Sequence, residues 1–386
     1  MEMHETQIVA QHVEPVGDTE KEILDSLLQG TGVTVNGFND WDPRFYSAEV
    51  VNRVLAKGNL GLGEAYMDRL WDVPKLDEFF YRLLKGGVDT RIKPVKLFWH
   101  ATRFKLLNLE TVKKAKRIGE FHYDLGNSFY QAMLDKYMAY SCGYWKDADS
   151  LEQAQEAKLD LICQKIGLER GMRVLDIGCG WGSFMRYAAE KYGVECVGLT
   201  VSSEQVKLGR ELCKGLPVEF RLKDYRKETE KFDRIVSVGM CEHVGRKNYR
   251  TYMKQASCCL KEDGLFLLHT IGKRIRSSVP DPFIAKYIFP VGQVPALEWL
   301  TQAAEGLFVL EDLHNFGADY DKTLMAWNER FEAAWPQFKD ELGDRFYRMW
   351  RYYLLSCAGA FRARDLQLWQ IVFSKKGASG GYCSCR

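Results

Sequence analysis

The residues best placed for chemistry form the stretch Arg173–Val174–Leu175–Asp176–Ile177–Gly178–Cys179–Gly180–Trp181–Gly182. An apolar run ends in an acid, and three glycines follow on alternate positions. The pattern predicts a buried strand that stops at a tight turn and opens a helix through Ser183–Phe184–Met185–Arg186–Tyr187–Ala188–Ala189. Glycines let a backbone pass within contact distance of a ligand, because no Cβ stands in the way. The spacing is Gly-x-Gly-x-Gly, not the Gly-x-Gly-x-x-Gly that seats a pyrophosphate on a helix N-terminus. Asp176 stands two residues before the first glycine, where it would repel a phosphate and welcome an ammonium group. The loop therefore points to S-adenosylmethionine (SAM) rather than NAD, with a plain glycine-rich turn as the alternative.

Methyl transfer from a sulfonium asks for alignment of donor and acceptor, and for a base where a proton must leave. Four clusters offer one: Tyr140–Ser141–Cys142–Gly143–Tyr144–Trp145, Glu242–His243–Val244–Gly245, His269–Thr270–Ile271–Gly272, and Gly317–Ala318–Asp319–Tyr320. The second directly follows the fourth strand candidate and the third ends the fifth, and the ends of adjacent parallel strands converge, so Glu242 and His269 are expected to meet above the sheet. Plainer roles stay open: Glu242 as a helix cap, His269 as a core histidine, Cys142 as a small buried hydrophobe, Tyr320 as a packed phenol. Cys357 is a rival nucleophile, but no histidine or other base stands near it in sequence, which favours helix packing.

Those clusters need strands to carry them. Val194–Leu199, Val218–Leu222, Phe232–Val238 and Gly264–His269 continue the series begun at Arg173, separated by helical patterns such as Gln205–Leu212. Alternating strands and helices predict βαβ units and a parallel sheet. Leu366–Phe373 alternates in polarity near the C-terminus and suits an antiparallel edge strand. Ligands of such sheets bind beyond the carboxyl ends of the strands. The four prolines between Lys273 and Pro295 mark a long insert after the fifth strand, of the kind that shapes a substrate site.

Before the sheet, Glu20 to about Gly87 reads as a small helical domain. Ile23, Leu24, Leu27 and Leu28 line one helix face, Val33–Gly37 suggests a short strand and turn, and Gly58–Gly63 a flexible loop. The expected organisation is a mobile tail (1–19), a small N-terminal domain for lipid docking or oligomerisation (20–90), a basic amphipathic linker (91–117), a catalytic domain (118–376) and a C-terminal tail (377–386).

The chain of 386 residues can bury a large core, and its net charge of +2 carries no global argument for nucleic acid. From Arg91 to Arg117, however, nine Lys and Arg face the single acid Glu110, interleaved with Leu97–Phe98–Trp99, Phe104, Leu106, Leu107 and Leu109. Such a segment suits either a solvated face or the surface of an anionic bilayer. Eleven cysteines, an odd number without paired Cys-x-x-Cys motifs, fit a reducing cytoplasm. No apolar N-terminal signal region and no uncharged membrane-spanning run is present in the sequence, so membrane contact is expected from the surface.

Together these motifs closely resemble the bacterial cyclopropane-fatty-acyl-phospholipid synthases, from about Val33 to Ser374. The resemblance is carried by Leu60–Gly61–Leu62–Gly63–Glu64–Ala65–Tyr66–Met67–Asp68, His122–Tyr123–Asp124–Leu125–Gly126–Asn127, Tyr140–Ser141–Cys142, the glycine loop, and Gly198–Gln205. It continues through Met240–Gly245, Leu268–Gly272, Asn315–Leu324 and Cys357–Asp365. It implies a class I SAM-dependent methyltransferase fold: a Rossmann-like α/β architecture with a mostly parallel seven-stranded sheet, behind a small, mainly helical N-terminal domain. It implies transfer of a SAM methylene onto the cis double bond of unsaturated acyl chains in phospholipids.

The resemblance also implies a bound bicarbonate as base, held by Cys142, Glu242, His269, Ile271 and Tyr320, with the backbone groups of Cys142 and Ile271 as donors. For SAM it implies Tyr140, Ser141, Asp176, Gly178, Gly180, Gly182, Thr200 and Gln205, with Asp224 and Tyr225 near the adenine. Many related folds place an acid at the end of the second strand for the ribose; here Gly198–Leu199–Thr200 stands there, and Thr200 and Gln205 are expected to serve. Cys241 stands where relatives often carry Phe. The expected partners are an anionic phospholipid surface and a second copy in a homodimer, with no nucleic acid, at the inner face of the cell membrane. Competing readings are a lipid methyltransferase giving a methyl-branched chain, a small-amine methyltransferase, and a lipid-binding protein with a catalytically dead fold. The small N-terminal domain argues against the amine, and Glu242, His269 and Tyr320 against the dead fold.

Overall fold

The structure, a computed structural model, describes residues 18–91, 126–277, 279–290 and 292–386. Most of the expected N-terminal tail, the basic linker beyond Arg91, Lys113–Arg117, His122–Leu125 and the boundary near residue 118 lie outside the described residues. In chain order the first part holds α1 (Asp18–Leu28), β1 (Arg44–Phe45), α2 (Glu49–Lys57), α3 (Asn59–Met67), β2 (Trp71–Asp72), α4 (Leu76–Lys85) and α5 (Val88–Arg91). After these come α6 (Gly126–Met133), α7 (Leu151–Lys165), β3 (Arg173–Ile177), α8 (Ser183–Tyr192), β4 (Glu195–Thr200), α9 (Ser203–Leu212), β5 (Val218–Leu222) and β6 (Phe232–Val238). The chain closes with α10 (Tyr249–Cys259), β7 (Leu260–Lys273), α11 (Pro282–Tyr287), α12 (Leu297–Ala304), β8 (Val309–Asn315), α13 (Ala318–Ala334), α14 (Lys339–Arg362) and β9 (Leu366–Ser374).

Seven strands form one sheet in the order β5-β4-β3-β6-β7-β9-β8, parallel from β5 to β7 and antiparallel at β9 and β8. β3 is buried along nearly its whole length, as an apolar run covered on both faces must be. From β3 the chain builds outward to β4 and β5, then returns to the other side as β6. This puts the topological switch point at the carboxyl ends of β3 and β6.

Three local expectations change. β9 is antiparallel as read, but it lies inside the sheet, and the edge is β8, which the sequence pattern did not reveal. A register shift between Leu310 and Asp312 breaks the alternation of β8, and its polar residues are partnered by the chain's end: Arg386 and Ser384 bind Asp312. Such cover suits an edge strand. The glycine stretch 58–63 is not a loop but runs into α3, a helix buried from Gly61 to Met67. A Cβ on Gly61 would stand 2.0 Å from Arg53 O, so the glycine is there for close approach to α2, not for flexibility. Val33–Gly37 is a turn with Asn36 left-handed (φ 58°), and the short pairing falls instead between β1 and β2.

The first helices are not separate from the rest in packing. Leu24, Val50, Tyr66, Trp71, Phe79, Phe283, Trp350, Tyr352 and Leu368 belong to one buried cluster, each large side chain contributing about 2 kcal/mol. Arg348 of α14 donates to Tyr66 O and Trp71 O. α3 also meets α11 of the insert, where Lys286 and Tyr287 bind Glu64. No helix among the described residues is long and apolar enough to cross a membrane.

Candidate active site

At the switch point the chain encloses a cleft of about 310 Å³. Its floor is the turn after β3. Gly180 is left-handed (φ 55°), and a Cβ there would meet nothing nearer than Gln205 Nε2 at 3.7 Å, so the space beside it is open to a ligand. Gly182 serves packing instead. A Cβ on it would stand 2.5 Å from Phe220, so it lets α8 close on β5 and does not line the cleft. Ser202 caps α9 by accepting from Gln205 N, which sets Gln205 beside Thr200; their side chains join at 2.6 Å.

Asp176 is buried, and its Oδ1 has no partner. Burial pushes its carboxyl up, against the pull of Lys158, to about 7. A buried acid with a spare oxygen facing a glycine-lined cleft is matched to an ammonium group, which SAM carries. Lys158 is a second buried charge. Its Nζ donates to Ser141 Oγ at 3.0 Å, and burial brings it down to about 8 although Asp135, Cys142 and Asp176 favour its charge. Gln155, on the same face of α7, holds Ser141 O at 2.8 Å. Tyr140 shares a hydrogen bond of 2.9 Å with Tyr353.

Tyr140, Ser141, Asp176, Gly178, Gly180, Thr200, Gln205, Asp224 and Tyr225 all line this one cleft. Asp224 is less free than its place suggested: Arg226 takes both of its oxygens, at 2.9 and 2.6 Å, and outweighs burial to hold its carboxyl below the usual range.

The second group of expected residues lies around the end of β6. Glu242 sits in the short turn Cys241–His243 and is buried. Its Oε1 accepts from Ile271 N at 2.6 Å, while Oε2 has no partner. Burial pushes the carboxyl up to about 7, against the hydrogen bonds from Ile271 N and Thr270. His269 is 1 % exposed; its Nδ1 meets Gln370 Nε2, and its Nε2 has no partner. Burial, with the charges of Lys158 and Lys165, holds it well below the ordinary histidine range, so it is neutral. Tyr320 stacks on Phe361 at 4.5 Å. Burial raises its phenol, and Cys142 and Glu242 add to the rise, which puts all three within electrostatic reach. Burial and Asp319 also push the Cys142 thiol well up, so it is not a thiolate. Burial raises Cys357 to about 12, in keeping with packing.

Glu242 and His269 share no hydrogen bond, and each keeps one buried atom unpartnered. One expectation needs correction here: the Ile271 N–H is not free for an ion, because β6 pairing ends at Val238 opposite His269 and Glu242 takes the N–H left beyond it. Those unpartnered atoms fit a small hydrogen-bonding anion, as Asp176 fits an ammonium.

The sequence reading missed Lys158 and Gln370, and it quoted His243 only as a neighbour of Glu242. Lys158 was detectable: with Leu151, Ala154, Gln155 and Ile162 it occupies the helical spacing of a buried face. His243 lines the cleft with Nδ1 unpartnered, and burial alone takes it down to about 4. Its ring stands edge-on to Phe289 from the proline-rich insert, whose Gln293 N donates to Glu242 O.

The chain is similar to known proteins in sequence and in fold. The family described as mycolic acid cyclopropane synthetase matches residues 110–371. The chain is 52 % identical over 359 residues to the cyclopropane-fatty-acyl-phospholipid synthase of Escherichia coli (strain K12), covering 93 % of this chain and 94 % of that protein. The solved structure of the cyclopropane synthase MmaA2 from Mycobacterium tuberculosis is 33 % identical, with a TM-score of 0.64 over 67 % of this chain and 98 % of that one. The mycolic acid cyclopropane synthase CmaA1, solved with SAH and CTAB, is 33 % identical with a TM-score of 0.62, over 66 % and 95 % of the two chains.

Proposed function

Because the chain belongs to the mycolic acid cyclopropane synthetase family, we infer its reaction from that membership: transfer of a methylene group from SAM to the cis double bond of an unsaturated phospholipid acyl chain. The product is a cyclopropane fatty acid. The observation that carries this reading is an unpartnered Asp176 oxygen in the glycine-lined cleft, with further unpartnered buried atoms on Glu242 and His269, which follow the neighbouring strands β6 and β7 and do not themselves line that cleft.

The chemistry explains those spare atoms. An alkene is a weak nucleophile, so the methyl must be held against it. Asp176 would take the ammonium of SAM, with Ser141 and Tyr140 beside its methionine end and Thr200 and Gln205 beside its ribose. The alkene carbon bonds the methyl carbon as the sulfur–carbon bond breaks, leaving a carbocation on the chain. A proton then leaves the new methyl and the ring closes. A bicarbonate, which Glu242, His269 and Tyr320 would hold, would supply the base and a negative charge beside the cation. With its carboxyl pushed up to about 7, Glu242 presents a proton from Oε2 rather than a second negative charge.

The acyl chains reside in a bilayer, so the proposal includes peripheral binding to anionic phospholipid at the inner face of the cell membrane. The basic, apolar-rich segment around Lys113–Arg117 supplies the attraction, and a homodimer is the proposed assembly.

Mass spectrometry of membrane lipids from a host lacking cyclopropane lipids tests the reaction. A gain of one CH2 per unsaturated chain, unchanged by hydrogenation that reduces alkenes, is expected. A gain that takes up hydrogen would instead assign a methylene- or methyl-branched product. Enzyme prepared in carbonate-free buffer should be stimulated by added bicarbonate; a rate indifferent to it leaves Glu242 as the base.

A further inference from the structure

A neutral histidine is either a donor or an acceptor at each ring nitrogen, and the sheet decides which for His269. β7 and β9 set His269 directly opposite Gln370, and β9 and β8 set His314 opposite the same glutamine. Directly opposed residues project from the same face, so the three side chains form a row across adjacent strands. Gln370 is fully buried, and its Nε2 lies 3.3 Å from His269 Nδ1.

An amide nitrogen donates and does not accept, so Nδ1 of the neutral ring must accept and the ring proton must sit on Nε2. The reversed amide would bring Gln370 Oε1 to Nδ1 and bury an NH2 where only a carbonyl oxygen is now unpartnered. An orphaned buried donor is rarer than an under-used acceptor. No donor of the row reaches Gln370 Oε1: Lys165 Nζ lies 3.0 Å from His314 Nδ1, and Phe316 packs against both histidine rings.

We propose that Gln370 is a positioning residue that fixes His269 as its Nε2–H tautomer, so that the imidazole offers the anion beside Glu242 a hydrogen-bond donor and no lone pair. The second half rests on the bicarbonate reading above. In this form His269 cannot take the substrate's proton.

The tautomer is read directly, in full-length protein labelled with 15N-histidine, by long-range proton–nitrogen correlation, with His269 assigned from the signals missing in His269→Asn. Wild type should show an unprotonated Nδ1 and a protonated Nε2. Gln370→Glu replaces the donor with an acceptor and should move the proton to Nδ1; Gln370→Met should leave the two forms in exchange. Neither SAM nor bicarbonate is needed for that reading. In Gln370→Glu the bicarbonate concentration for half-maximal activity should rise about ten- to a hundredfold, the range for one hydrogen bond to a charged group, and in Gln370→Met only about twofold, because the donor form stays populated; SAM affinity should be unchanged in both. A wild-type proton on Nδ1, or a tautomer unmoved by both substitutions, overturns the assignment. Tautomers as expected with an unmoved bicarbonate response would overturn the anion reading alone.

Discussion

Glu64 on α3 and Glu242 after β6 are 7 % and 8 % exposed, yet their surroundings treat them in opposite ways. Burial pushes both carboxyls up. At Glu64, Lys286, Lys57 and Tyr287 outweigh it and hold the group at about 2. At Glu242 the backbone N–H groups of Ile271 and of Glu242 itself and the Thr270 hydroxyl do not, and the group stands at about 7 with an oxygen to spare. The first fastens α3 to the insert that carries α11; the second keeps unused hydrogen-bonding capacity at a strand end. Equal burial therefore says little about role. The number of partners separates a fastening from a group with hydrogen-bonding capacity to spare, and Asp176, also at about 7 with a spare oxygen, falls on the side of Glu242.

The most direct challenge to that contrast is Glu242→Gln. Activity should fall by roughly ten- to a hundredfold, the worth of one hydrogen bond to a charged group, while calorimetric SAM affinity and thermal stability hold. Retained turnover would make Glu242 one more buried structural acid. Gly180→Val tests the Asp176 half of the site. A branched side chain at φ 55° should cost roughly 1–2 kcal/mol in stability yet remove SAM binding, because it fills the space left open beside Gly180 in the cleft. A folded variant with unchanged SAM affinity would take SAM out of this loop.

Glu64→Gln should do the reverse of Glu242→Gln, losing stability and sparing SAM affinity. Its two lysines are about half exposed and regain water, so the loss in urea unfolding should stay near 1–2 kcal/mol. An unchanged midpoint would mean that the cluster fastens nothing.

The smallest effect is the pH profile of stability. Glu64 is lowered in the fold, so its contribution is present above its unfolded value of 4.5 and is lost as pH falls through about 2. Asp176 and Glu242 are raised, so theirs is present below about 4 and is lost as pH rises through about 7. Thermal melts of Glu64→Gln should lose part of the acid limb, and those of Glu242→Gln part of the neutral-to-alkaline limb. Identical limbs in the two variants would erase the distinction.

Much of the site was legible because its residues follow strand ends. The apolar run before Asp176 and the glycines after it specify a strand and a turn locally, and Glu242 and His269 each close an apolar run that reads as a strand. What the sequence hid depends on distant neighbours. Glycines 61 and 63 read as a loop until Arg53 and Phe283 stand against them. β8 lacked alternation because a register shift interrupts it and Arg386, 74 residues on, answers its Asp312. Arg226, two residues from Asp224, was in view, but its grip on both oxygens is a matter of rotamer.

By itself, then, the chain determined the α/β class, the glycine loop and the acids beside it, since periodicity and turn chemistry act over a few residues. Only the tertiary structure decided that Ile271 N–H goes to Glu242, that Gln370 faces His269, and that Glu64 is fully paired while Asp176 and Glu242 are not. Partnering inside a core is set by strand register and by which elements dock. Those follow from the summed burial of the whole chain, and no local pattern encodes them.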